Sequence, residues 1–330
     1  MTRSLRLDSC EPTPLGDYLN RRKFITMAAG CGAAFALRPV ASAEVDALER
    51  RTILRPGIER PGVLERFPAT RNEAYNLKVE LTDALVAGTH NNFYEFLPGR
   101  AGPVWKLTDR FEPDPWHLEV VGRCRRPARF DIDQIFEQFA AYHEERTYHF
   151  RCVETWAMDL PWTGFELNRL LNAVEPYSDA AFVRFVSVNR PDEMPGIRTQ
   201  GHYPWPYFEG LRMDEAMHPL TLLATGVYGQ PLPRQHGAPF RIIVPWKYGY
   251  KSPKSIVRIE LLPKQPPTFW NTMAPNEYSF LSNVNPNVPH PRWSQAREHM
   301  LGTGQIRPTR IYAGYGPHVA HLYKAQGQGR

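Results

Sequence analysis

The chain has 330 residues, 42% of them hydrophobic and 22% charged, with a formal net charge of +6. That length holds one large domain or two small ones. The first 43 residues carry six Lys/Arg against three Asp/Glu, so the remainder is only about +3, too balanced to imply a nucleic-acid partner.

In chain order, Asn20-Arg21-Arg22-Lys23-Phe24-Ile25 opens an apolar, Ala/Gly-rich run from Ile25 to Leu37. The run is too short to span a bilayer, which takes about 20 apolar residues. Ala41-Ser42-Ala43 is a small-residue cleavage site. Together they read as a twin-arginine export signal over residues 1–43, with the mature chain starting at Glu44 in the periplasm. Such signals belong to proteins that fold around a cofactor before export. Cleavage ahead of Cys31 is the weaker alternative, because few apolar residues precede it. Residues 44–76 read as an extended N-terminal arm and 77–330 as one large domain. No second apolar span, internal repeat or low-complexity tract follows, so the mature chain is expected to be soluble. Thirty-two prolines and fifteen tyrosines point to irregular, well-packed connections rather than a helical bundle.

Trp116–Gly122 predicts a strand. Asp131 is placed to N-cap a helix whose apolar residues Ile132, Ile135, Phe136 and Phe139 recur at helical spacing. Arg146–Cys152 alternates, with Tyr148, Phe150 and Cys152 facing one way and Thr147, His149 and Arg151 the other. Thr163-Gly164-Phe165-Glu166 fits a capping box ahead of Leu167, Leu170, Leu171 and Val174. Phe182–Val188, Leu220–Thr225, Phe240–Val244 and Ser255–Leu262 predict further strands. Strands and helices mix without βαβ repetition, so the fold class is α+β.

Once the leader is removed, Cys124 and Cys152 are the remaining cysteines. Cys124 sits in a charged turn and Cys152 at a strand end, so two separate thiols are favoured over a disulfide. A lone buried thiolate between Arg151 and Glu154, in an exported and prefolded protein, suits a soft redox metal. Asn91-Asn92-Phe93-Tyr94-Glu95-Phe96 offers two amides, a phenol and a carboxylate, a set that suits a heteroaromatic ring rich in donors and acceptors. His236, Arg241, Lys251 and Lys254, interleaved with Trp246, Tyr248 and Tyr250, suggest a buried phosphate site rather than a solvated hairpin. No GxGxxG follows a strand, and there is no Walker loop, HExxH or GxSxG.

Five motifs carry a family likeness in chain order: Asn91–Phe96, Arg151-Cys152-Val153-Glu154, Asp214-Glu215-Ala216-Met217-His218-Pro219, Gly237-Ala238-Pro239 with Arg241, and Val244-Pro245-Trp246-Lys247-Tyr248-Gly249. They resemble molybdopterin enzymes of the sulfite-oxidase fold, and within it the catalytic subunits of periplasmic protein-methionine-sulfoxide reductases. The likeness runs on to Asn285-Pro286 and His290-Pro291-Arg292-Trp293-Ser294-Gln295, nearly the whole chain. It implies that residues 77–330 are a molybdopterin-binding catalytic domain with Cys152 as the protein ligand to molybdenum. Asn91, Tyr94 and Glu95 would contact the pterin, and Ser187 would hydrogen-bond it. His236, Arg241, Ser252, Pro253 and Lys254 would hold its phosphate end. Two features depart from the reductase pattern, His236 in place of an asparagine and the pair Ser252-Pro253 in place of Gly-Ile, and both remain compatible with phosphate.

Relatives of the sulfite-oxidase type place a tyrosine near the metal, whereas here Glu154 follows the cysteine by two, which speaks for the reductase branch. Glu154 and Trp246, and with less reason His202, are candidates to line the approach. The implied activity is reduction of methionine sulfoxide in other exported proteins, a reversible form of oxidative damage. The chain carries no haem CxxCH and no flavin fingerprint, so electrons are expected from a separate haem-bearing membrane subunit drawing on the quinone pool. The alternatives are a sulfite- or small-sulfoxide-directed enzyme on the same fold, and a cofactor-free periplasmic binding module.

Overall fold

Two β-sheets organise residues 47–326, the part of the chain that this computed structural model describes. The expected export signal and cleavage site lie outside those residues. Rather than running extended, residues 47–76 form helix α1 (Ala47–Ile53), a one-turn helix α2 (Pro61–Leu64) and strand β1 (Arg71–Asn76). The reason is burial: Ile53 and Val63 are enclosed by the core, and the Ile53 carbonyl accepts from Gln235 Nε2 at 2.6 Å. Asp83 then caps α3 (Ala84–Thr89), its carboxylate accepting from the Leu85 and Val86 N–H groups. The polar cluster beginning at Asn91 leaves directly from the end of this helix.

The smaller sheet has the order β3-β2-β11-β6-β7. Its strands are β2 (His117–Gly122), β3 (Ala128–Asp131), β6 (Phe182–Ser187), β7 (Phe208–Arg212) and β11 (Ile256–Leu262). After β3, Asp131 caps α4 (Ile132–Gln138) in a full capping box with Gln134. Ile132, Ile135, Phe136 and Phe139 are buried on one face, as their spacing predicts.

The larger sheet is built around β4 (Glu144–Arg151) and β5 (Trp156–Glu166), paired antiparallel from Arg151 opposite Ala157 to Glu144 opposite Gly164. Residues 152–155 are therefore the hairpin loop, and Cys152 sits at its first position. Strand β5 was not legible in the sequence. Pro161 and Gly164 interrupt its β-propensity, and Thr163-Gly164-Phe165-Glu166 mimics a helix start. The capping box is corrected here: Thr163 lies inside β5, and Glu166 precedes α5 (Leu167–Ala173) without a side-chain cap bond. The apolar face of α5 is buried as expected.

Beyond β5 come β8 (Leu222–Val227), with β9 (Gln230–Pro231) and β10 (Arg241–Ile243) paired to it, and β12 (Arg297–Met300) with β13 (Ile306–Pro308). The alternation of β4 is real, but both faces are covered. Thr147, His149 and Arg151 are as buried as Tyr148 and Phe150. The polar face is covered by β12, β13 and the tail: Glu298 pairs with His149, Arg151 and Arg307, and the Tyr315 hydroxyl accepts from the His149 backbone N–H at 3.0 Å.

Candidate active site

One cavity of about 940 Å³, counting its open mouth, collects nearly all the residues singled out in the sequence. Asn91, Tyr94, Glu95, Cys152, Glu154, His236, Arg241, Ser252, Pro253 and Lys254 all line it. They arrive from separate places: the loop after α3, the β4–β5 hairpin, the turn before β10, and the segment between β10 and β11.

The loop after α3 is fixed from both sides. Asn91 exchanges two 3.0 Å backbone hydrogen bonds with Gly102. Phe93 packs edge-to-face on Phe96, Phe96 on Phe111, and Phe111 on Trp116, tying the loop to the core. Such contacts contribute about 0.5–1.5 kcal/mol each beyond burial. Gly196 packs against the same loop, where a Cβ would come within 2.2 Å of the Tyr94 carbonyl oxygen, so only glycine allows that approach.

At the hairpin, Cys152 N–H donates to the Trp156 carbonyl at 2.9 Å and Thr155 N–H to the Cys152 carbonyl at 3.0 Å, closing a tight turn. Thr155 takes a left-handed φ of 77° to do so. The sulfur receives Asn92 Nδ2 and the Glu154 N–H, each at 3.4 Å. Glu154 Oε2 accepts from Asn92 Nδ2 at 3.2 Å and from Trp156 Nε1 at 3.3 Å, which holds the carboxylate near the sulfur. Burial, reinforced by Glu154, pushes the Cys152 thiol up to about 12. A thiol so placed stays protonated near neutral pH unless a cation takes the proton's place.

Arg241 is the main charge of the other group. It is buried, stacks on Trp162 at 4.8 Å, and donates to the carbonyls of His236 and Ser252, and no carboxylate pairs with it among the described residues. Burial draws its pKa down to about 9, which leaves it cationic at neutral pH. Lys254 donates to the Asn92 carbonyl at 2.8 Å and lies over the Phe93 ring. Burial lowers its pKa and raises that of Glu95, each resisted by attraction to the other. His236 is held neutral, down at about 3, by burial and by Arg241 and Lys254.

The polar balance fits an anionic, heteroatom-rich guest. Arg241 Nε, Asn91 Oδ1, Asn92 Oδ1 and His90 Nε2 are buried and find no hydrogen-bond partner among the described residues. Of the cavity's cations, Arg241 has no carboxylate paired with it among the described residues, and unmet donors and acceptors stand beside it. Ser252 Oγ accepts from the Val244 N–H at 3.1 Å, which leaves its proton to donate. Pro253 has no N–H, so it can offer only shape.

Three expectations are corrected, at Ser187, Lys251 and Trp246. Ser187 does not line the cavity, because its hydroxyl donates to the Lys254 carbonyl at 2.7 Å and so supports Lys254 from behind. Lys251 is buried against Glu209 at 2.6 Å, so it is neutralised elsewhere. Trp246 is fully buried and donates to the Tyr323 hydroxyl at 2.8 Å, away from any approach to the thiol. His202, less favoured as a site residue than as a structural histidine of its Tyr/Pro/Trp-rich loop, is exposed and packs on Tyr203. Among the cavity-wall residues that the sequence did not reveal are His90, Trp156, Tyr207, Trp270 and Tyr278. Their only signal was an aromatic character shared with much of the core. Cys124 and Cys152 are both free thiols, as expected.

Residues 104–270 match the oxidoreductase molybdopterin binding domain. The chain is 45% identical over 324 residues to the protein-methionine-sulfoxide reductase catalytic subunit MsrP of Burkholderia mallei, covering 95% of this chain and 92% of that one. It is also 45% identical over 320 residues to the subunit of the same name from Gluconobacter oxydans, covering 95% and 94%. Among solved structures, the sulfane dehydrogenase SoxCD from Paracoccus pantotrophus aligns with a TM-score of 0.43 and 14% identity over 77% of this chain and 60% of that one, too loose a likeness to carry an argument. The cavity and the near full-length identity agree: this chain belongs to the family of protein-methionine-sulfoxide reductase catalytic subunits, built on an oxidoreductase molybdopterin binding domain.

Proposed function

We propose that the protein reduces methionine sulfoxide in oxidised periplasmic proteins, using a molybdenum-molybdopterin cofactor with Cys152 as ligand to the metal. The observation that carries this is the single cavity holding the Cys152 thiol, the uncompensated Arg241 and the unpartnered amide oxygens of Asn91 and Asn92. Arg241, Lys254 and Ser252 would grip the phosphate end, with His236 and Pro253 shaping it. Asn91, Tyr94 and Glu95 would meet the pterin ring. When bound, the cofactor would supply two-electron redox and oxygen-atom-transfer chemistry.

The chain's own part is orientation and proton handling. Asn92 and Trp156 hold Glu154 beside the sulfur, where its carboxylate is placed to pass one of the two protons that accompany two electrons as the oxygen leaves as water. Trp156, Trp270 and Tyr278 give the wall an apolar, polarizable surface suited to a thioether side chain. No helix among the described residues is long and apolar enough to cross a membrane. Electrons would come from a haem-bearing membrane subunit fed by quinone, and the chain would reach the periplasm by the twin-arginine route, cleaved near Ala43.

The test is molybdenum content together with assays on oxidised protein and on sulfite. Cys152→Ser should keep the fold and much of the pterin but lose activity, while Cys124→Ser stays near normal. An inactive Cys124→Ser beside an active Cys152→Ser would reverse the ligand assignment, and sulfite turnover exceeding that of oxidised protein would move the enzyme to the sulfite-directed class.

A further inference from the structure

The segment His290–Gln295 lies outside the cavity wall, yet it grips the turn that carries Cys152. Trp293 donates its indole Nε1–H to the Val153 carbonyl at 2.8 Å, and Gln295 donates its side-chain amide to the same oxygen at 2.8 Å. Gln295 is held in turn by Arg151, which donates to its Oε1 at 2.9 Å. The Trp293 ring lies flat against His290, with centroids 3.8 Å apart.

The Val153 carbonyl and the Glu154 N–H belong to one planar trans peptide and point in opposite directions. Two donors that fix the oxygen end therefore aim the N–H end, and that N–H donates to Cys152 Sγ at 3.4 Å. A carbonyl that accepts hydrogen bonds also polarises its own peptide and strengthens the N–H as a donor. Hydrogen bonds to a metal-bound thiolate withdraw electron density from the sulfur, which makes the oxidised metal less stable and raises its potential.

We infer that Trp293 and Gln295 are positioning residues for the sulfur ligand: through the Val153–Glu154 peptide they set the N–H···S hydrogen bond on Cys152, and with it the potential of the centre. The inference rests on Cys152 being the metal ligand. Neither residue lines the cavity; both bond the Val153 carbonyl directly, and Gln295 also accepts from Arg151, whose guanidinium donates to the Cys152 carbonyl.

The experiment measures the molybdenum midpoint potential and the electron paramagnetic resonance spectrum of the pentavalent state in loaded Trp293→Phe, Gln295→Leu and the double variant. Trp293→Phe keeps a flat ring beside His290 and removes one donor. Each single variant should shift the potential to more negative values and alter the spectrum, and the double variant should shift it further. Ser294→Ala, whose exposed hydroxyl accepts from the Ala296 N–H, should match the parent enzyme. Both readouts come from the metal-holding fraction, so partial loading does not obscure them. Parental potential and spectrum in both single variants would overturn the inference. Cys152→Ser separates the two levels: if its loaded spectrum is also parental, the ligand assignment itself falls.

Discussion

Arg241 carries its charge into the interior with no acid beside it, and a buried ion in that state costs several kcal/mol. The chain tolerates it because the cavity is made for a negative guest. Arg241→Met and Lys254→Met should each weaken cofactor binding, since a charge-assisted hydrogen bond contributes about 1.5–3 kcal/mol. That corresponds to roughly a ten- to hundredfold loss of affinity. The cofactor-free Arg241→Met protein should be no less stable than the parent, because an unpaired buried cation is gone. Arg125→Ala, on an exposed turn, should change neither. Cofactor titration and denaturant unfolding on the same samples check both halves, and unaltered binding in the two methionine variants would return these cations to a structural role.

Strand β4 has two buried faces with opposite characters. Its polar face meets β12 and β13 in a network: His149 with Asp159 at 2.7 Å and Glu298 at 3.2 Å, Arg151 with Glu298 at 3.3 Å, and Arg307 with Glu298 at 2.7 Å. Burial pushes the Glu298 carboxyl up, but His149 and Arg307 outweigh it and hold the pKa at about 2, below the usual 4.5. Burial likewise pulls His149 down, and Asp159 and Glu298 outweigh it, so its pKa is raised. The depressed carboxylate stabilises the fold fully above about pH 4.5 and loses that contribution as pH falls toward 2. The raised imidazole stabilises it below about pH 6.5 and loses its contribution as pH rises through the folded value. Glu298→Gln should cost about 3–5 kcal/mol near pH 6, the usual result of removing one partner from a buried pair. Its deficit should shrink as the pH is lowered through about 4.5 toward 2. Unfolding measured across that range decides it: a constant deficit would mean that packing, not charge, sets the loss.

The cavity is a property of the whole molecule. Its wall is drawn from residues 90–95, 150–162, 207, 236–254 and 270–278, and no one segment contains a binding site by itself. A cofactor held this way can be loaded only into a folded chain, which is the physical basis for proposing a route that exports folded proteins. Arg21→Lys/Arg22→Lys should therefore leave a folded, cofactor-bearing precursor in the cytoplasm. Fractionation with a molybdenum assay on each fraction tests it, and mature, metal-loaded protein in the periplasm of that variant would show another route.

Local signals in the sequence determined the helix of Ile132–Gln138, the apolar face of Leu167–Ala173 and strands β2, β4, β6, β8, β10 and β11, because capping and periodicity are short-range effects. They also brought Cys152, Asn91, Glu95, Arg241 and Lys254 forward as site residues, since charge and sulfur chemistry are visible in the residue itself. Tertiary structure decided the rest. Trp246 and Lys251 looked like site residues from their neighbours in sequence but found partners in Tyr323 and Glu209, residues far along the chain. Strand β5 formed despite Pro161 and Gly164 because β4, β8 and β12 pair with it, and those pairings override local propensity. The grip of Trp293 and Gln295 on Val153 spans about 140 residues of chain. No local pattern encodes such a contact, because only packing of the whole fold brings its two halves together.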